Sequence, residues 1–96
     1  TLVFKVGGKM FALANLSDFE KGHPTTNLKC EPDKAQELRA EFEDILPGYH
    51  MSKIHWNTVN INKNVSDKMV FELIDHSYEL VFGSLTKKLQ SEIENK

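Results

Sequence analysis

Ninety-six residues, 40% hydrophobic and 27% charged, make one globular domain with room for a single modest core, and no apolar run approaches the roughly 20 residues of a membrane span. A formal net charge of −2 does not advertise a polyanion partner, yet charge segregates along the chain: residues 31–48 hold two basic and six acidic side chains, whereas residues 1–30 and 49–66 each carry a net +2. The lone Cys30 excludes an internal disulfide and fits a reducing compartment, so the cytoplasm is the expected location.

The chain opens at Thr1 on TLVFKV, which alternates like a strand and lacks the basic start of a signal peptide; a chain trimmed upstream is expected. TLVFKVGGKMFALANL then predicts a β-hairpin, with Gly7-Gly8 as a type I′ turn. A two-residue turn pairs Val6 with Lys9, Phe4 with Phe11 and Leu2 with Leu13, giving a core face of Leu2, Phe4, Val6, Phe11 and Leu13. Ser17 to Pro24 shows no periodicity and is expected to be a loop. In the following TTNLKC strand, Thr26, Leu28 and Cys30 share one side, with Asn27 and Lys29 on the other.

Asp33 is a suitable N-cap, Gln36 takes the capping-box position, and Ala35, Leu38, Phe42, Ile45 and Leu46 form one stripe, which predicts a helix stopped by Pro47-Gly48. Glu37, Glu41 and Asp44 fall on its solvated side. From about Met51 to Ile61 the period returns to two, with His55, Asn57, Val59 and Ile61 opposite Trp56, Thr58 and Asn60. After a turn at 62–64, Ser66 caps a helix whose face collects Val70, Leu73, Ile74, Ser77, Tyr78 and Val81, with Val65 and Val70 spaced as a hydrophobic staple and Gly83 at its end. Weak helical spacing through Leu85, Leu89 and Ile93 closes the chain. The order strand, strand, strand, helix, strand, helix predicts an α+β domain over 1–96, an antiparallel sheet with helices on one face.

The four histidines His23, His50, His55 and His76 and Cys30 lack the close spacings of a metal site, and no metal or cofactor is expected. Cys30 alternates with Leu28, so burial makes it a poor nucleophile. Ser77 sits in a regular helix without the strained turn that exposes a catalytic serine. GGK is a hairpin turn, not a phosphate loop, since a strand follows it where a helix is required. The chain is therefore expected to bind rather than catalyse.

YHMSKIHWNT is the densest polar and aromatic stretch. Trp56 is expected to be mainly a packing anchor, and Lys53, His55 and Asn57 to share one strand face. Lys5 and Lys9 near the hairpin tip, together with Lys29, complete a set suited to phosphates.

FKVGGKMFAL, NLKC, PGYH followed by K-x-HWNTV, and IDHSYELV resemble the MmcQ/YjbR family of small bacterial proteins, in that order and with fitting spacing. The resemblance implies a twisted antiparallel α+β fold, described as a double wing, and a DNA-binding role; it supplies no catalytic residues. Relatives usually begin with a helix and a short Pro-Phe loop ahead of the first strand. Either that helix lies outside this sequence, or the helical cover is incomplete and exposed apolar surface favours self-association. Ile54 stands where relatives tend to be basic or polar, which removes one phosphate contact. The leading expectation is a non-enzymatic module contacting duplex DNA through Lys5, Lys9, Lys29, Lys53, His55 and Asn57. The alternative is a protein- or small-ligand-binding module using a groove near Trp56.

Overall fold

Gly7 and Gly8, with φ of 57° and 81°, adopt the left-handed conformation that a type I′ turn requires, and they join β1 (Leu2–Val6) to β2 (Lys9–Ala14) as expected. The computed structural model describes residues 1–49, 51–61 and 63–95; expectations placed on His50 and Asn62 lie outside the described residues. Val6 pairs with Lys9 and Lys5 with Met10, but Phe4 pairs with Ala12, so β2 carries Phe11 as an extra residue. The expected pairs Phe4–Phe11 and Leu2–Leu13 give way to Phe4–Ala12 and Leu2–Ala14. A one-residue insertion exchanges the faces beyond it: Ala12 and Ala14, not Leu13, are buried against the core, and Leu2 and Phe4 stay 46% and 48% exposed. Phe11 turns its ring edge-on to Tyr78, with centroids 5.2 Å apart.

The expected loop after the hairpin contains a short helix, α1 (Leu16–Glu20), because the Asn15 side chain accepts the Ser17 N–H at 3.0 Å and caps it. β3 (Thr25–Lys29) follows. The next helix, α2 (Pro32–Glu41), is capped by Glu31 rather than Asp33: its two carboxylate oxygens accept the Asp33 and Lys34 N–H groups, and these bonds hold the carboxyl below its ordinary pKa. The helix also ends early. Phe42 is extended, and Ile45–Pro47 forms β4 at the sheet edge, where Ile45 lies opposite Val59 in the core. Ile45 and Leu46 fit a helical stripe and a strand equally well, and the core position of Ile45 decides for the strand. β5 (Trp56–Asn60) is shorter than the predicted strand, since residues 53–55 form a turn.

The strands run β1-β2-β3-β5-β4 with every neighbouring pair antiparallel. α2 and α3 (Asp67–Gly83) cover one face through Ala35, Leu38, Val70 and Leu73, packed with Leu28, Ile45 and Val59. α4 (Lys87–Glu94) extends this layer over the hairpin, where Leu85 and Leu89 meet Val6. A Cβ on Gly7 would lie 2.6 Å from Leu85, so the turn needs glycine for space as well as for φ. The fold is the expected α+β arrangement, and no described helix is long and apolar enough to cross a membrane. By strand alternation the other face presents Val3, Leu13, Asn27, Lys29, Leu46, Trp56 and Thr58, and among the described residues neither buried cluster includes any of them.

Ser77 locks the two layers together. Fully buried on α3, it donates to the Phe11 carbonyl at 2.6 Å and accepts the Lys29 N–H at 2.9 Å, which places one hydroxyl between β2 and β3 beside the bulge. Its neighbour His76 accepts the Glu31 N–H at 3.3 Å, so the loop before α2 satisfies the ring. Burial, followed by the charge of Lys34, lowers the His76 pKa, a shift toward the neutral ring that can accept this bond.

Candidate binding groove on the open face of the sheet

The six residues expected to meet an anionic partner do not form one surface. Lys5 and Lys29 both fall on the open face, Lys5 on β1 and Lys29 directly opposite Trp56. Lys9 pairs with Val6 and therefore points to the helix side, where its Nζ lies 3.5 Å from the Ser84 hydroxyl. Lys53 and His55 occupy the turn before β5, so the alternation that grouped them with Asn57 does not apply. The Lys53 ammonium donates to the Gly48 carbonyl at 3.1 Å, and the His55 carbonyl accepts the Cys30 N–H at 2.8 Å.

Asn57 belongs to the core. It is 3% exposed, its Nδ2 donates to the Ala35 carbonyl at 3.4 Å, and its Oδ1 accepts no hydrogen bond from any described residue. Alternation placed it on the buried side with Val59; its polarity misdirected the assignment to a contact. A small void of about 10 Å³ adjoins it among Leu28, Leu38 and Leu73. Asn57→Leu is expected to raise stability by about 1 kcal/mol in urea denaturation, because it removes an unpaired buried acceptor and adds packing. A loss of stability would show that the amide has a partner the fold needs.

Gly48 and Trp56 meet as a structural joint. The Gly48 N–H donates to the Trp56 carbonyl at 2.8 Å, and a Cβ on Gly48 would lie 2.8 Å from Trp56 Cβ. Cys30 is buried, and burial raises its thiol pKa, which disfavours the nucleophilic thiolate. Among the described residues, no three His, Cys, Asp or Glu side chains group as metal ligands would.

What the open face does hold is a groove of about 400 Å³ beyond Trp56 along the sheet. Leu13, Leu46 and Pro47 supply apolar walls, and Asp18, Thr25, Asn27, Tyr49 and Thr58 supply polar groups. The Tyr49 N–H donates to the Thr58 hydroxyl at 3.2 Å, and that hydroxyl donates to Asn27 Oδ1. The Thr25 hydroxyl donates to Asp18 Oδ2 at 2.9 Å. Among the described residues these bonds engage one atom of each side chain, Asn27 Oδ1 and Asp18 Oδ2; the Asn27 amide nitrogen can donate and the other Asp18 oxygen can accept. Asp18 is the one carboxylate among the described residues lining the groove, which Thr1 and Asn15 also border. Thr58 and Asn27 stood on the correct faces in the sequence, but pairing them required the β3–β5 register. Asp18 was hidden in a segment read as loop.

A family model described as YjbR matches residues 1–80, which include the hairpin, the groove and the Ser77 lock. The chain belongs to the YjbR family. This YjbR-family chain is 38% identical over 91 residues to the uncharacterised Escherichia coli O157:H7 protein YbdF, covering 95% of itself and 72% of that relative. It is 32% identical over 84 residues to the uncharacterised YjbR of Escherichia coli K12, covering 88% of itself and 69% of the relative. The crystal structure of Deinococcus radiodurans protein DR2400, with its DUF419 domain, superposes with a TM-score of 0.85 at 36% identity, covering 96% of this chain and 69% of that one. Within the quoted motifs, Gly7-Gly8 makes the hairpin turn, Gly48 and Trp56 the joint, and Ser77 the lock.

Proposed function

We propose that this YjbR-family chain is a non-enzymatic binding module whose open sheet face takes a small amphipathic molecule bearing a cationic or neutral hydrogen-bond donor. Asp18 would accept from the donor, Asn27 would donate to a neighbouring acceptor, and Leu13, Leu46 and Pro47 would hold the apolar body. The observation carrying this reading is the groove's composition: apolar walls around a few fixed polar groups, within the roughly 300–1,000 Å³ typical of ligand sites. Duplex DNA is the second reading, favoured by Lys5 and Lys29 sharing the uncovered face.

Amide-resolved NMR titrations separate the two. Tryptamine, an aromatic ring with an ammonium group, is expected to shift the Leu13, Asp18, Asn27 and Thr58 amides. Indole-3-acetate, with the opposite charge, is expected to bind at least tenfold more weakly, and Asp18→Asn to weaken tryptamine binding. Duplex DNA shifting Lys5 and Lys29 at low salt, with loss in Lys29→Glu, would replace this reading with the second. Shifts from none of these probes would remove both.

A further inference from the structure

Where β3 gives way to α2, consecutive backbone N–H groups are each taken by a different partner. The Lys29 N–H goes to the Ser77 hydroxyl at 2.9 Å, the Cys30 N–H to the His55 carbonyl at 2.8 Å and the Glu31 N–H to His76 Nε2 at 3.3 Å. α3 thus grips the junction with two adjacent side chains. Their chemistry differs: a hydroxyl accepts at any pH near neutrality, whereas an imidazole nitrogen accepts only while it carries no proton. The residue held by the ring is also the cap of α2, since the Glu31 carboxylate accepts the Asp33 and Lys34 N–H groups. Ring and helix cap therefore meet at one residue, through its N–H on one side and its carboxylate on the other.

We infer that His76 is an acid-sensitive clasp on the N-terminus of α2, which holds the Glu31 N–H while the ring is neutral and releases it when the ring is protonated. An imidazolium carries a proton on both nitrogens, so it would meet the Glu31 N–H donor against donor. The charged groups about the ring pull in opposite directions. Lys34 on α2 opposes a second positive charge, while the carboxylates of Glu79, on α3, and Glu31, at the α2 cap, favour it. Burial, the largest influence, acts with Lys34, so folding favours the neutral ring. The nearby Cys30 thiol, whose own pKa is raised, carries no charge in this range. Once formed, the imidazolium competes with the Asp33 and Lys34 N–H groups for the Glu31 carboxylate, and the cap loosens with the clasp. By linkage, the unfolded chain takes up the proton first: the stability tied to the neutral ring is complete above 6.5, the ordinary histidine value, and is lost as pH falls from there through the lower folded value. Ser77 keeps the Lys29 N–H throughout, so the release is confined to the start of α2.

NMR on the unaltered 96-residue chain tests the clasp. Near neutral pH, imidazole nitrogen correlations are expected to show His76 as the Nδ1–H tautomer, the form that leaves Nε2 free to accept. On acidification the ring should titrate below 6.5, and the Glu31 amide shift should follow the same curve. The protection of that amide against exchange should fall about fivefold, equivalent to about 1 kcal/mol, the net worth of one hydrogen bond. Lys29 should keep its protection. His76→Gln supplies an amide oxygen that accepts at every pH, and it should flatten the Glu31 curve. An Nε2–H tautomer, a ring titrating at or above 6.5, or a Glu31 curve that persists in His76→Gln each overturns the inference.

Discussion

Ser77→Ala is expected to lower the unfolding free energy by about 2–4 kcal/mol, since an unpaired buried backbone group costs roughly 1–3 kcal/mol and this change strands two. The Phe11 carbonyl loses its donor and the Lys29 N–H loses its acceptor, at the point where the bulge has disturbed the strand ladder. No alternative hydroxyl is described beside them, and alanine leaves the α3 surface otherwise unchanged. Urea denaturation should show the loss as a lower midpoint with an unaltered m-value. Amide exchange should show it locally, as faster exchange at Lys29 than at Leu28. A change below about 0.5 kcal/mol would mean that the strands re-pair without the hydroxyl, and the lock would then be incidental.

Gly48→Ala should cost about 1–3 kcal/mol, the range expected when a rigid contact is overpacked. The added methyl would stand 2.8 Å from Trp56 Cβ and 3.0 Å from its carbonyl oxygen, the atom that accepts the Gly48 N–H. These obstacles belong to the start of β5, so relief requires separating it from the end of β4. Pro47 and Tyr49 flank Gly48 and both line the groove, and the Tyr49 N–H holds Thr58. Destabilisation should therefore accompany weaker tryptamine binding. Thermal denaturation and the NMR titration on the same variant check both; an unchanged melting temperature would show that the joint has slack.

Features set by neighbouring residues were legible in the chain. Gly7-Gly8, the Ser66 cap whose hydroxyl accepts the Met69 N–H, and the Val70, Leu73, Ser77, Val81 stripe depend on local conformation and helical period alone. The bulge was not legible, because the side chain beside it, Ser77, lies 66 residues from Phe11 along the chain. β4 was obscured for a different reason: Ile45 and Leu46 satisfy two periodicities, and the arbiter is Val59 across the sheet. At the candidate site, alternation placed Lys5, Lys29, Asn27 and Thr58 correctly, then failed for Lys53 and His55, because the strand begins only at Trp56. Asn57 shows the limit of reading polarity as exposure. Position along a strand predicts burial better than side-chain chemistry does, and the core here retains one amide.

The short β4 closed by Pro47 also bears on how far association can go. A fibre grows only if each added subunit presents a fresh sticky end, so it needs two competent edges per chain. The β4 edge does not supply one, because it is short and ends in a residue that has no N–H to offer. Whatever covers the opposite edge, this sheet therefore disfavours the open polymer.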